Sequence, residues 1–146
     1  MEIFRNGLTE GVEPLRQARC LDAVEFHPNV DRSKKIEFLQ SLSVLSVPAL
    51  YGEAFGLYII EALAAGVPVV QPRHAAFPEL IAATQGGVVC EPTALGLAKA
   101  LETLLLDPIR LRLYGESGRK KVRELFTAGR MATEVARACG EAAHRP

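Results

Sequence analysis

Short apolar runs that alternate with helical patterns constrain the fold of this chain most strongly. Strands that are apolar on both faces and linked by helices are typical of a parallel sheet covered on both sides. We therefore predict a doubly wound, Rossmann-like α/β fold. The four predicted strands are Ala23–Phe26, Ser43–Val47, Pro68–Val70 and Gly87–Cys90.

The segments between and after these runs carry the spacing of helices. Val12 to Leu21 predicts a short first helix, and a second extends from a cap at Asp31 or Ser33 through Gln40. In the second helix, Ile36 and Leu39 are expected to face inward. Further helices are predicted at about Gly56–Ala65, from Pro78, at Ala94–Leu106, at Pro108–Phe126 with a break at Gly118, and at Arg130–Ala143.

Composition limits the organisation and the partners of the chain. Its 146 residues have the length of one domain, and without a linker or a change of composition we predict a single, partial domain over residues 1–146. Seventeen basic residues balance seventeen acidic ones with no basic stripe, which argues against nucleic acid as a partner. Cys20, Cys90 and Cys139 are widely spaced, and we expect reduced, mostly buried thiols and no metal site.

The apolar segments do not predict membrane insertion or export. The longest, Leu57–Val70, is interrupted by Glu61 and Gly66 and is shorter than the about 20 residues that a spanning helix needs. Charges stand in Met1–Gly11, where a signal peptide would carry an apolar core. We expect a cytoplasmic location and no integral membrane segment.

The junction between the strand Ser43–Val47 and the next helix is the candidate ligand site. In doubly wound sheets, ligands bind outside the carboxyl ends of the strands. Free N–H groups at a helix N-terminus attract anions, and Gly56 would let a phosphate approach the backbone. Glu61 follows in a helix that is otherwise almost entirely apolar, where a carboxylate conflicts with burial unless ligand hydroxyls satisfy it.

A second interpretation of the two glutamates needs no ligand. Glu53 could complement only the helix dipole, and Glu61 could form a narrow solvent-exposed face together with Tyr58. The residue pattern alone leaves both interpretations open.

The motifs around this junction resemble a known family. The sequence EAFGLYIIE, from Glu53 to Glu61, has two glutamates separated by seven residues, and EALAAGVPVVQP, FPELI, QGGVV and LLLDPIRLRLYGESGRKKV follow in order. This series is similar to the retaining glycosyltransferases of the GT-B fold, family 4, group 1. The resemblance covers about Val24–Phe126 and implies the later part of the C-terminal nucleotide-sugar-binding domain, truncated on its N-terminal side.

The resemblance implies a role for each residue of the motif. Glu53 is expected to be catalytic and to contact donor-sugar hydroxyls near the reacting centre, and Glu61 to bind the ribose. Backbone N–H groups of Phe55, Gly56 and Leu57 are expected to face the sugar and the diphosphate. Transfer with retention of anomeric configuration is implied, with no cofactor and no metal.

Other loops are given roles by the same resemblance. The loop His27–Asp31 stands where relatives hold the nucleotide base, and Arg73 or His74 could reach a phosphate or sugar, although an exposed loop histidine is the alternative for His74. Two departures are Ala54, where proline is frequent, and Ala75, where glycine is frequent and a methyl group could crowd the donor.

We therefore expect a glycosyltransferase fragment that binds a nucleotide-diphosphate sugar donor. The resemblance implies an N-terminal acceptor-binding domain and an upstream arginine and lysine that this chain lacks, so the isolated chain should not catalyse transfer efficiently. An exposed sheet edge is expected to favour self-association. One alternative is a stand-alone nucleotide-sugar-binding or regulatory module. Another is a nucleotide-sugar epimerase, which is less favoured because epimerases of this fold lack the spaced glutamate pair.

Overall fold

The computed structural model of the chain describes residues 16–25, 27, 30–49 and 52–143. Two compact units are present, Met1–Asp31 and Arg32–Pro146. The second unit contains, in chain order, the helices and strands α1 (Arg32–Ser41), α2 (Leu57–Ala65), β1 (Val69–Pro72), α3 (Phe77–Thr84), β2 (Gly87–Cys90), α4 (Ala94–Leu105), α5 (Pro108–Leu125) and α6 (Ala128–Ala143).

The described part of the first unit differs from the predicted helix and strand. Arg16 and Gln17 are helical, but Arg19 adopts a left-handed conformation with φ 54°, which ends the helix, and Leu21–Ala23 form a 3-10 turn. Val24 and Glu25 are irregular, so the prediction of a strand is wrong for the described residues of that run. Val12, Leu15 and Phe26 lie outside the described residues.

A small parallel sheet forms the centre of the second unit. β1 pairs with β2 with Val69 opposite Gly87 and Pro72 opposite Cys90. On the other side of β1, Leu45 forms a parallel bridge with Val69, as the Leu45 N–H donates to the Pro68 carbonyl at 3.0 Å. Parallel pairing of these three segments agrees with the predicted parallel sheet.

The predicted strand Ser43–Val47 is reduced to that single bridge by the side chain of Gln71. Gln71 is fully buried on β1. With its amide oriented to satisfy both groups, it donates to the Val47 carbonyl at 2.8 Å and accepts from the Val47 N–H at 3.3 Å. A side-chain amide thus replaces the backbone partner that would have extended the ladder.

Helices cover both faces of the sheet. Alternate residues of β1 point to opposite faces, with Val69 in the larger core and Val70 in a smaller one with Cys90 and Leu104 of α4. The larger core is supplied chiefly by α2 and α3, with further contributions from α1 and α5. Its buried members are Leu39, Ile59, Ala62, Leu63, Val67, Val69, Phe77, Leu80, Ile81 and Val122. This arrangement confirms the doubly wound α/β prediction.

The helix α5 continues through Gly118 without the predicted break. Gly115 and Gly118 are both buried. A Cβ added at Gly118 would lie 2.6 Å from Cδ2 of Leu63 and 3.2 Å from Cα of Gly86. The prediction was wrong because this glycine serves close packing of α5 against α2 rather than a change of chain direction.

Two predictions on side-chain burial are corrected by the fold. On α1, Leu39 is buried but Ile36 is 47% exposed, so only one of the two expected residues faces inward. Of the cysteines, Cys90 is buried, whereas Cys20 is half-buried and Cys139 is exposed, so the thiols are not mostly buried. Among the described residues, the helices are too short or too polar to cross a membrane.

Candidate functional site

The candidate site lies where the chain leaves the sheet and enters α2. Val47 is held at the end of β1 by Gln71, and the chain reaches Glu53 a few residues later. Between Glu53 and α2, Gly56 adopts a left-handed conformation with φ 85° and ψ 63°. This bend brings the N-terminus of α2 to the carboxyl edge of the sheet, as the sequence predicts.

Glu53 is bound to the same backbone groups that were predicted to hold the donor. Its Oε1 accepts from the N–H of Phe55 at 3.0 Å and from the N–H of Gly56 at 2.7 Å. A carboxylate at a helix N-terminus is stabilised by the helix dipole and by N–H groups that have no partner within the helix. The two parts of the predicted site therefore contact each other in this structure.

Gly56 is required by the backbone and by packing. An L-residue rarely adopts its φ, and an added Cβ would lie 3.0 Å from Cδ1 of Ile59 and 3.0 Å from Cε1 of Phe77. Beside it, the ring of Phe55 packs against Phe126 at the end of α5, with 6.3 Å between ring centroids. The backbone N–H groups at this junction are therefore held in a fixed geometry.

Tyr58 does not belong to a solvent-exposed face. Its hydroxyl is buried and has no hydrogen-bond partner among the described residues. Burial, and secondly the charge of Glu53, raises the pKa of the Tyr58 hydroxyl above its ordinary value of 10.0. The suggestion that Tyr58 and Glu61 share a narrow exposed face is therefore wrong for Tyr58.

Glu61 lies on the solvent side of α2, facing α1. Its side chain is 43% exposed, and Oε1 lies 2.7 Å from Nζ of Lys35. The expected conflict with burial is wrong, because α2 buries Ile59, Ala62 and Leu63 on its other side. Lys35 was missed by the sequence, since nothing in a local pattern shows which carboxylate a lysine 26 positions away will meet.

The turn after β1 lies next to the start of this junction. The Ala76 N–H donates to the Ala54 carbonyl at 3.4 Å, and the ring of His74 lies 6.2 Å from that of Phe77. His74 is half-buried and Arg73 is exposed. Ala75 has φ 47°, a conformation that favours glycine, so its alanine carries backbone strain as well as the extra methyl group noted from the sequence.

The predicted base-binding loop belongs to the first unit. Its residues Pro28 and Asn29 lie outside the described residues, and His27 places Nε2 3.3 Å from Oε2 of Glu25. Its proposed contact with a nucleotide base stays a prediction.

Sequence and structure comparisons agree on one family. The model of the family "Glycosyl transferases group 1" matches residues 11–121. Glycogen synthase from Mycobacterium tuberculosis is 30% identical over 126 residues, which cover 86% of this chain and 30% of that protein. The chain thus spans about a third of the length of the curated relatives it matches.

Solved structures show the same fold. Sucrose-phosphate synthase from Thermosynechococcus elongatus aligns with a TM-score of 0.78 and 28% identity, over 91% of this chain and 33% of that one. Anabaena HepE in complex with UDP aligns with a TM-score of 0.82 over 94% of this chain and 37% of that one, and its 17% identity carries the fold alone.

Proposed function

This chain belongs to the glycosyl transferases group 1 family, and from that premise we propose that it supplies the nucleotide-sugar-binding part of a glycosyltransferase. The observation that carries the proposal is the oxyanion cradle formed by the N–H groups of Phe55 and Gly56, which already bind a carboxylate oxygen at 3.0 and 2.7 Å. A diphosphate oxygen has the charge and the acceptor geometry to take the same position.

Replacement of the Glu53 carboxylate by a diphosphate oxygen at these N–H groups would combine the two roles expected of Glu53, at the start of the helix without a ligand and at the donor sugar with one. When a diphosphate oxygen accepts from Phe55 and Gly56, the Glu53 carboxylate is released to accept hydrogen bonds from donor-sugar hydroxyls. The N–H groups, joined by that of Leu57, then face the leaving diphosphate and stabilise the charge that builds on it. We further propose transfer with retention of configuration, in which the leaving phosphate takes the acceptor proton.

Glu61 is proposed to bind the ribose. Its carboxylate is accessible on the side of α2 that leads from the cradle towards α1. Two neighbouring ribose hydroxyls can donate to one carboxylate in charge-assisted hydrogen bonds. Binding of the donor would thus extend along the exposed side of α2, from the diphosphate at its N-terminus to the ribose in its second turn.

Complete transfer also needs a site for the acceptor, which we propose lies in a further domain of the enzyme. Two of the proteins named above, glycogen synthase and sucrose-phosphate synthase, are synthases, which gives no support to a binding module without transfer activity. A cytoplasmic location, independence of metal and cofactor, and self-association through the sheet edge remain proposals of the same account.

Calorimetric titration with UDP, ADP and GDP tests the proposal. We expect one of them to bind, and Glu61→Ala to weaken that binding by about 1–3 kcal/mol, because a charged hydrogen bond to the ribose is lost. The matched control is Glu124→Ala, which removes a carboxylate of similar exposure (46%) that is paired with Lys121 at 3.2 Å on α5. Unchanged affinity in Glu61→Ala would overturn the ribose assignment, and no binding of any diphosphate would overturn the proposed function.

A further inference from the structure

Lys35 connects two helices at the carboxylate that is proposed to bind ribose. Nζ of Lys35 on α1 lies 2.7 Å from Oε1 of Glu61 on α2. Ion pairs within a single helix join residues three or four positions apart, as Arg112 does with Glu116 and Lys121 with Glu124. The Lys35–Glu61 pair therefore fixes a geometry between helices, which the local pairs do not.

Stability gives a weak reason for a lysine at this position. The two side chains are 46% and 43% exposed, and exposed ion pairs contribute little to folding. The first turn of α1 contains Arg32, Lys34 and Lys35 and no acidic residue, although the helix dipole disfavours cations at an N-terminus. A residue that opposes a local preference in this way is a candidate for a role in binding.

We propose that Lys35 is a positioning residue for ribose recognition, an inference that rests on the proposed function. Its ammonium holds Oε1 of Glu61, which restricts the flexible glutamate side chain and directs Oε2 towards the two ribose hydroxyls. Binding then loses less side-chain freedom than it would with an unpaired glutamate. Lys35 acts through Glu61 and makes no contact with the diphosphate.

Affinities of the protein variants for two matched ligands distinguish this role from general electrostatic attraction of the diphosphate. The probes are the nucleoside diphosphate that binds in the titration above and its 2′,3′-dideoxy analogue, which lacks the hydroxyls that Glu61 is proposed to bind. We expect Lys35→Met to lower the affinity for the intact nucleotide by about threefold to tenfold and to leave the affinity for the dideoxy analogue unchanged. Lys35→Arg, which keeps a cation in reach, should restore most of the affinity.

Two controls exclude loss of folding as the cause. Lys121→Met removes a lysine of 40% exposure from a similar ion pair on α5, and it should change neither affinity. Thermal unfolding midpoints of Lys35→Met and Lys121→Met should be alike. The double variant Lys35→Met, Glu61→Ala should bind no more weakly than Glu61→Ala, because the lysine acts through the glutamate.

The outcomes separate this inference from the proposed function. If Lys35→Met lowers the affinity for both probes equally, the ammonium attracts the diphosphate directly, and the positioning role is overturned. If Glu61→Ala abolishes the preference for the intact ribose but Lys35→Met does not, only the inference on Lys35 fails. If Glu61→Ala also leaves that preference unchanged, the ribose assignment of the proposed function fails.

Discussion

The two sides of α2 are held in place by different means. On the buried side, Ile59, Ala62 and Leu63 are completely inaccessible to solvent and pack against the sheet, α3 and α5. On the exposed side, Glu61 and, just before the helix, Glu53 are held by an ion pair and by hydrogen bonds that a ligand can replace. The buried side therefore sets the position of the helix, and the exposed side is able to exchange partners.

Close contact between backbones makes the buried side intolerant of change. A Cβ at Gly115 would meet the carbonyl oxygen of Gly66, and one at Gly86 would meet Cδ2 of Leu63 in a space already filled. By contrast, the carboxylates on the exposed side make polar contacts that water can also satisfy. Substitutions on the two sides should therefore affect different measurements.

The largest loss of stability is expected from Gly115→Ala. The added methyl group must displace the backbone carbonyl of Gly66, which yields less easily than a flexible side chain, so we expect a cost at or above the upper end of the about 1–3 kcal/mol typical of overpacking. The higher helix propensity of alanine offsets only about 1 kcal/mol of this. Urea unfolding should show the decrease.

The control for Gly115→Ala is Gly140→Ala on α6, where an added Cβ meets no heavy atom within 4 Å. It should leave stability unchanged or slightly higher. Equal unfolding free energies for the two variants would contradict the claim that α5 and α2 are in contact through their backbones.

Gln71→Met should have an intermediate effect that reaches both regions. The Val47 N–H and carbonyl lose their side-chain partners, and because Val47 is only half-buried we expect a cost near the lower end of the about 1–3 kcal/mol for backbone groups left without partners. Because Val47 begins the segment that leads to Glu53, affinity for nucleoside diphosphates should fall as well. Gln40→Met, on an exposed position of α1, should change neither the unfolding free energy nor the affinity, and a Gln71→Met variant with both values unchanged would contradict this link.

The smallest effect is expected from Tyr58→Phe. Removing a buried hydroxyl without a partner should leave stability within about 1 kcal/mol of the starting value. Since the folded-state pKa of Tyr58 is raised above 10.0, the folded protein keeps this proton longer than the unfolded chain does, and stability falls as pH rises past that value. Between about pH 8 and about pH 11, Tyr58→Phe should therefore lose less unfolding free energy than the unmodified chain does.

A matched control for that pH dependence is Tyr114→Phe on α5. This variant retains Tyr58 and should lose stability with rising pH as the unmodified chain does. If Tyr58→Phe shows the same alkaline loss as Tyr114→Phe, burial of the Tyr58 hydroxyl is not the cause.

Local patterns in the sequence predict most of the architecture. The strand Gly87–Cys90 has the predicted bounds, and α2 and α4 differ from prediction by one residue at an end, because burial periodicity and turn residues are local signals. The reduced strand at Ser43–Val47 was not predictable, since a distant side chain, Gln71, replaces its backbone partner. Gly118 was misjudged because its packing partner Leu63 is remote in sequence.

For the candidate site, too, the sequence predicts the features set by local spacing and misses those set by packing between distant segments. Motif spacing placed Glu53 just before α2, and a carboxylate that complements the helix dipole was one of the two interpretations left open. The pairing of Glu61 with Lys35 depends on the packing of α1 against α2, which no spacing along the chain reveals. Sequence thus located the carboxylates but not the partners that hold them.

The exchange at the start of α2 is tested most directly by following backbone amide resonances by NMR while UDP, or whichever nucleoside diphosphate binds, is added. We expect the N–H signals of Phe55 and Gly56 to shift as Glu53 is replaced by the diphosphate, whereas those of Ala62 and Leu63 on the buried side should stay in place. Saturating nucleotide that leaves Phe55 and Gly56 unshifted would contradict this exchange.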